Sequence, residues 1–123
     1  MAAELVEFGI RVLLIEPGGF RTGFLSAFVA PVAGLNPGYS ETALSRTLKL
    51  YETVDGSQRG DPEKAAARIL DAVENQGLCA TTSSYLRVPL GSDCYGLLES
   101  KADALKENLN VMKGIAHSTD YPQ

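Results

Sequence analysis

The residues best suited to chemistry form a loop at positions 17–22, whose sequence is PGGFRT. Paired glycines let a backbone turn and approach a ligand closely. The loop follows an unbroken apolar run at 12–15, which is typical of a strand buried on both faces of a parallel sheet, and Pro17 is expected to end that strand. Ligands of open α/β sheets bind beyond the carboxyl ends of the strands, so the sequence predicts a binding loop here.

The elements before this loop are predicted to be a helix and a tight cap. Residues 2–8 favour a helix, and Gly9 stands where a left-handed helix cap is expected. Helix, cap, buried strand and glycine loop then follow one another, which indicates an α-to-β connection.

Residues 36–60 are predicted to form a segment resembling a lid. Asn36, Pro37 and Gly38 are a turn signal, and Ser40 is expected to cap a helix at about 41–54. The apolar side chains of that helix are expected to dock against the body of the domain.

The clearest helix begins at Asp61. Asp61 is a suitable N-cap, Pro62 suits the first helical position, and the apolar face continues to Gly77. A polar loop at 78–85 and a short strand at 86–90 follow. We expect this strand to lie parallel to the first, joined to it by a right-handed crossover through the Asp61 helix.

The last helix is predicted over 93–113, and one of its faces carries a continuous apolar seam. Such a seam can be the edge of a coiled coil, and more often it covers a sheet. His117 is expected to lie in a solvated polar tail. The seam residues are Leu98, Ala102, Leu105, Leu109 and Met112.

Composition excludes several classes of function. The chain has 123 residues and a net charge of −4, with scattered basic residues that do not favour a nucleic-acid surface. Cys79, Cys94 and the single His117 lack the spacing of metal ligands, so no metal site is predicted and two idle thiols in a reducing compartment are expected. No secretory signal is visible, and the apolar stretch at 24–35 is too short to span a bilayer, so a cytoplasmic protein is expected, with contact of this stretch with a membrane surface as an open alternative.

The order of these motifs resembles the short-chain dehydrogenase/reductase family. MAAELVEFGIRVLLIEPGGFRT is similar to the family segment that runs from the end of the catalytic-tyrosine helix into the PG-x-x-x-T cofactor loop. Residues 60–66 (GDPEKAA), 86–93 (LRVPLGSD) and 118–121 (STDY) are similar to the carboxy-terminal part of a branch that resembles retinol and hydroxysteroid dehydrogenases.

The resemblance implies an α/β fold, namely a carboxy-terminal fragment of a doubly wound, Rossmann-like parallel sheet with two parallel strands plus helices. The chain would be a single partial domain: 1–23 is the helix, strand and cofactor loop, 24–60 the substrate lid, and 61–123 the crossover helix, last strand and final helix.

The same resemblance implies the cofactor NADP or NAD and a hydrophobic small-molecule substrate. The residues that would contact the nicotinamide end of the cofactor are Pro17, Gly18, Phe20 and Thr22. The residues that would line the substrate pocket are Phe24, Leu25, Phe28 and Val29. Without the resemblance, the sequence slightly favours an interpretation of this apolar segment as core contacts of a short helix, and the resemblance makes the pocket the better interpretation.

Other parts of the family pattern are missing from the sequence. No Gly-x-x-x-Gly-x-Gly motif follows a strand: Gly34 and Gly38 have the spacing of its first two glycines, but Ser40 occupies the position of the third. In addition, no tyrosine has a lysine four positions later. We therefore predict no catalytic residue in this chain.

Three hypotheses follow. In the first, the chain is part of an NADP- or NAD-dependent oxidoreductase and is not catalytic alone. In the second, it is a non-catalytic remnant that acts as an interaction module, pairing with itself or with a homologous subunit through the open edge of its first strand. In the third, it is a truncated gene model, since Met1 falls within what should be a longer helix.

Overall fold

The computed structural model describes residues 2–121 and has an α/β fold, as the sequence predicts. Met1, which the family resemblance places inside a longer helix, lies outside the described residues. The elements are helix α1 (Ala2–Val6), strand β1 (Leu14–Pro17), helix α2 (Ala43–Val54), helix α3 (Pro62–Glu74), strand β2 (Arg87–Leu90) and helix α4 (Ser92–His117), with short 3-10 turns at Pro37–Tyr39 and Gly77–Cys79.

The two strands form a parallel pair, and this confirms the predicted topology. Leu14 lies opposite Arg87 and Pro17 opposite Leu90. The first strand occupies Leu14–Pro17 rather than residues 12–15, because the partner strand sets where pairing begins. Pro17 is therefore the last residue of the strand, whereas the sequence placed it after the strand. The expected burial on both faces was wrong for this strand, whose Ile15 is only half-buried.

Helix α3 begins as its sequence predicts. The Asp61 carboxylate accepts hydrogen bonds from the amides of Glu63 and Lys64, at 3.0 and 3.2 Å, and Pro62 occupies the first helical position. The helix ends at Asn75 in the left-handed conformation, before the predicted end at Gly77. Its first turn is thus fixed by the capping groups that the sequence supplies.

The segment before β1 is tied to the end of α3. Gly9 has the left-handed backbone (φ +68°) that the sequence predicts, and it turns the chain after α1. The Arg11 guanidinium then donates to the carbonyl of Ala72 at 2.7 Å and also to Val73 and Asn75. A cation at a helix carboxyl end is favourable, so Arg11 holds the start of the sheet against α3.

Helix α2 starts later than predicted. Its N-cap is Thr42 rather than Ser40, and Glu41 takes a positive φ of 63° just before it. Gly56, with φ +73°, lies in the turn that follows the helix.

Helix α4 is longer than predicted and projects away from the sheet. It includes His117 in its last turn, so the expected polar tail around this residue was wrong. Every residue from Glu99 to His117 is exposed. The apolar seam therefore does not cover the sheet within the described part of the chain.

Much of the surface is apolar and uncovered. Among residues 2–121, the buried apolar side chains are those of Ala72 and Leu90. The accessible surface is 10202 Å², whereas a folded monomer of this mass is expected to expose about 6,400 Å². The excess accessible area is comparable to the area that a large protein–protein interface buries.

Each edge of the two-stranded sheet carries one outward-facing proline. Leu14 N–H bonds Leu86 O and Gly18 N–H bonds Leu90 O, so the alternate residue Ile15 directs its N–H to the other side of β1. No strand of the described chain lies there. Pro17 on this side of β1 and Pro89 on the outer edge of β2 both lack an N–H. The Ile15 amide is therefore the donor that the open edge of β1 presents.

We expect amide hydrogen exchange to distinguish adjacent residues of β1 in the monomer. Ile15 N–H faces the open edge and should exchange fast, whereas the Leu14 amide, bonded at 2.7 Å, should be protected. Equal protection of the two amides in a monodisperse monomer would contradict the open edge.

Candidate functional site

The glycine loop leaves the sheet at the carboxyl end of β1, beside the carboxyl end of β2. Gly18 N–H donates to Leu90 O at 2.8 Å, which extends the strand pairing by one bond. The loop therefore starts at a position fixed by the sheet. This is where ligands of open α/β sheets are bound.

Asp93, in the first turn of α4, holds the loop from one side. Its Oδ2 accepts a hydrogen bond from Gly19 N–H at 2.6 Å. A Cβ on Gly18 would lie 2.2 Å from Asp93 Oδ1, and a Cβ on Gly91 would lie 2.6 Å from the same atom. Glycine is therefore required at both positions, because the carboxylate lies against bare backbone.

The electrostatics of this contact favour the ionised carboxylate. The bond from Gly19 N–H lowers the pKa of Asp93, and partial desolvation opposes it. The amides of Cys94 and Asp93 and the charge of Arg59 also lower this pKa. The contact is thus a charge-assisted hydrogen bond.

Gly60 holds the loop from a second side. Gly60 N–H bonds Gly19 O at 3.0 Å, and Arg21 N–H bonds Gly60 O at 2.9 Å, which makes a parallel bridge between Phe20 and Gly60. A Cβ on Gly60 would lie 2.5 Å from the Phe20 ring. The Arg21 guanidinium also bonds Gln58 O at 3.2 and 3.1 Å. The loop backbone is consequently fixed at Gly18, Gly19 and Arg21.

The Phe20 amide is the unused donor between these fixed points. In a parallel bridge the N–H of the bridging residue opposite Gly60 points away from it. Within residues 2–121 this N–H has no hydrogen-bond partner. Thr22 follows, with its Oγ1 accepting from Phe24 N–H at 3.4 Å. The loop thus presents two free amides, those of Phe20 and Thr22, and one exposed hydroxyl.

The predicted substrate residues lie together in a turn segment that is open to solvent. Phe24, Phe28 and Val29 are exposed, and Leu25 is half-buried. Ser26 Oγ donates to Asp55 Oδ2 at 2.9 Å, which ties the segment to the end of α2. Whether these side chains contact a substrate stays a prediction.

A shallow cleft of about 240 Å³ lies behind the loop. It is lined by Phe20, Arg59, Lys64, Arg68 and Leu90, among others. Lys64 and Arg68 already pair with acidic residues of their own helix region, at 3.7 and 3.0 Å. The predicted substrate residues do not line this cleft.

Two further absences apply to the described residues alone. Between Ala2 and Tyr121, no cluster of three histidine, cysteine or acidic side chains is suited to a metal ion. No helix in the same stretch is long and apolar enough to cross a membrane.

Sequence reasoning did not find Asp93, Gly91 or Gly60 as parts of this site. The signal for Asp93 was present, because it lies three positions after a parallel strand, where a polar residue can face the loop that follows the neighbouring strand. Asp93 and Gly19 are separated by 74 positions in the chain, so only the strand pairing shows that they meet.

Comparison with known proteins supports the resemblance found in the sequence. No protein-family model and no curated protein matches the chain. A crystal structure of a short-chain dehydrogenase from Streptomyces avermitilis matches it with a TM-score of 0.70 and 35% identity. The match covers 98% of this chain and 40% of that protein. The two parallel strands and the helices therefore match the fold of part of a short-chain dehydrogenase.

We expect Gly18→Ala to disrupt the loop. The new methyl group would overlap Asp93 Oδ1 and force the carboxylate away from Gly19, at a cost of about 1–3 kcal/mol in the free energy of unfolding. Gly23→Ala is the matched control, because a Cβ there meets no atom within 4 Å. Thermal unfolding compares the two variants, and equal melting temperatures would contradict this role of Gly18.

The contact between Asp93 and Gly19 should weaken in acid. The folded-state pKa lies below the ordinary value of 3.8, so the carboxylate stabilises the folded loop above that value and loses this effect as pH falls through the folded pKa. We expect an NMR titration of the Asp93 carboxyl to have its midpoint below 3.8, with the Gly19 amide shift following it. In Asp93→Asn, the Gly19 shift should lose this pH dependence. A midpoint at or above 3.8 would contradict the contact.

Proposed function

We propose that this chain supplies the nicotinamide-side loop and the substrate-facing segment of an NADP- or NAD-dependent short-chain dehydrogenase/reductase. The reaction is carbonyl/alcohol interconversion on a hydrophobic small molecule, in a branch resembling retinol and hydroxysteroid dehydrogenases. The observation that carries the proposal is the free Phe20 amide, on a loop fixed from two sides at the carboxyl end of β1.

The residues of the loop fit a planar carboxamide ligand. Gly18 and Gly19 have no side chain to block close approach, and Phe20 N–H is available to donate to a carbonyl oxygen. The Thr22 hydroxyl, which accepts from Phe24 N–H, retains its own proton to donate. Pro17 fixes the direction in which the loop leaves the strand. When bound, the nicotinamide ring would supply the hydride for carbonyl reduction or accept it in alcohol oxidation.

The apolar segment after the loop is assigned to the substrate. Phe24, Leu25, Phe28 and Val29 follow the loop directly and are largely exposed, so a hydrophobic ligand would gain free energy by covering them. Their exposure fits a role as one wall of a pocket whose other wall comes from a different segment or chain.

Proton transfer is assigned to residues outside this sequence. None of the five tyrosines has a lysine four positions later, so the pair that the family uses as general acid and base is missing. We infer that this chain contributes binding and orientation and that a complementary α/β segment contributes the acid.

Nucleotide titration tests the proposal. We expect purified chain to enhance NADPH or NADH fluorescence saturably, and Thr22→Val to weaken binding because it keeps the shape and removes the hydroxyl. Gly23→Ala should bind as the native chain does. Neither nucleotide should be turned over with alcohols or ketones. Absence of saturable binding by the native chain would contradict the proposed cofactor contact. Turnover by the pure chain would contradict the assignment of proton transfer to residues outside this sequence.

A second candidate function is a non-catalytic interaction module. The open edge of β1 and the large uncovered surface favour it. Its partner would be a second copy or a homologous subunit that adds a strand beside β1. Failure of nucleotide binding together with concentration-dependent protection of the Ile15 amide would favour this candidate over the first.

A further inference from the structure

The exposed part of α4 carries a heptad pattern that no described element covers. Apolar residues recur at alternating steps of four and three from Leu98 to Ala116. This spacing is the a/d repeat of a two-stranded coiled coil and spans about 28 Å at 1.5 Å per residue. The seam consists of Leu98, Ala102, Leu105, Leu109, Met112 and Ala116.

The seam is exposed beyond its first residue. Leu105 is 55% exposed and Leu109 is 69% exposed, and α4 meets the sheet mainly at β2, with one bond from Cys94 to Glu16 O of β1. A projecting amphipathic helix of this length gains most of its stability from a partner that buries its apolar stripe. The 10202 Å² surface of the chain agrees with a missing partner of substantial area.

We propose that the partner is the α4 helix of a second copy, in an antiparallel coiled coil that makes the chain a homodimer. In the antiparallel register centred near residue 107, Leu105 would pack against Leu109 of the other copy. Ala102 would pack against Met112, and Leu98 against Ala116, so every seam position has an apolar counterpart.

The flanking charges select the antiparallel orientation. In that register Glu99 of each copy would lie beside Lys113 of the other copy, which gives the dimer two ion pairs. In a parallel dimer Lys101 would instead face Lys106 twice, which is repulsive.

The other residues that flank the seam are also compatible with the antiparallel arrangement. Asn108 meets its own copy across the twofold axis, where two amides can hydrogen-bond. Lys106 also meets its own copy, and its charge is offset by Asp103, 3.5 Å away on the same helix. Lys101 can lay its aliphatic stem over Ile115, which is exposed in the single chain.

Sedimentation of the full chain over a range of concentrations tests the dimer. The native chain should be dimeric, and the double variant Leu105→Glu/Leu109→Glu should be monomeric. The matched control is Ser100→Glu/Asn110→Glu, which adds the same charge on the opposite face of α4 and should stay dimeric. Circular dichroism verifies that all three chains are folded. A monomeric native chain would overturn the proposal. A dimer that persists in the Leu105→Glu/Leu109→Glu variant would also overturn it and would favour pairing through β1.

Two further variants test the orientation. Glu99→Lys should raise the dimer dissociation constant roughly tenfold, and adding Lys113→Glu should restore it. Asn108→Cys should form a disulfide-linked dimer under mild oxidation, whereas the native chain, with Cys79 and Cys94, should not. The antiparallel arrangement would be overturned if Glu99→Lys/Lys113→Glu did not restore the dissociation constant and Asn108→Cys formed no disulfide-linked dimer.

Discussion

The parallel pairing of β1 and β2 is the constraint on which the rest of the structure depends. It brings the carboxyl ends of two strands to one edge, although some seventy residues separate them in the chain. The glycine loop leaves one strand and the first turn of α4 leaves the other, so Asp93 reaches Gly19. A slip of one residue would reverse the facing of every side chain in β2 and remove this contact.

The same small sheet explains why so much surface stays uncovered. Two strands leave both edges of the sheet unpaired, and α3 together with the start of α4 buries few side chains completely. Burial of apolar surface is the main favourable term in folding, so a chain with this surface gains stability from any partner that covers it. Association through α4 and completion of the sheet beside β1 are two separate ways to do so.

The sequence was sufficient for features that depend on neighbouring residues. The Asp61 cap, the left-handed Gly9 and the parallel strands were all predicted, because capping chemistry, glycine geometry and apolar runs are local signals. The bounds of β1 were not, since the partner strand sets them. The role of Asp93 depends on a contact 74 positions away. The length of α4 was missed because the predicted helix was defined by an apolar seam that ends at Met112, whereas the helix continues to His117.

The central claim is that Asp93 and Gly60 fix the loop so that the Phe20 amide is free to hold a nicotinamide carboxamide. The most direct measurement is an amide NMR map of the isotope-labelled chain during addition of NADPH and, separately, NADH. The account predicts a saturable shift that is largest at Phe20 and its neighbour Arg21, while the Gly19 amide stays bonded to Asp93. Shifts that are absent, or that occur only far from residues 17–22, would contradict it.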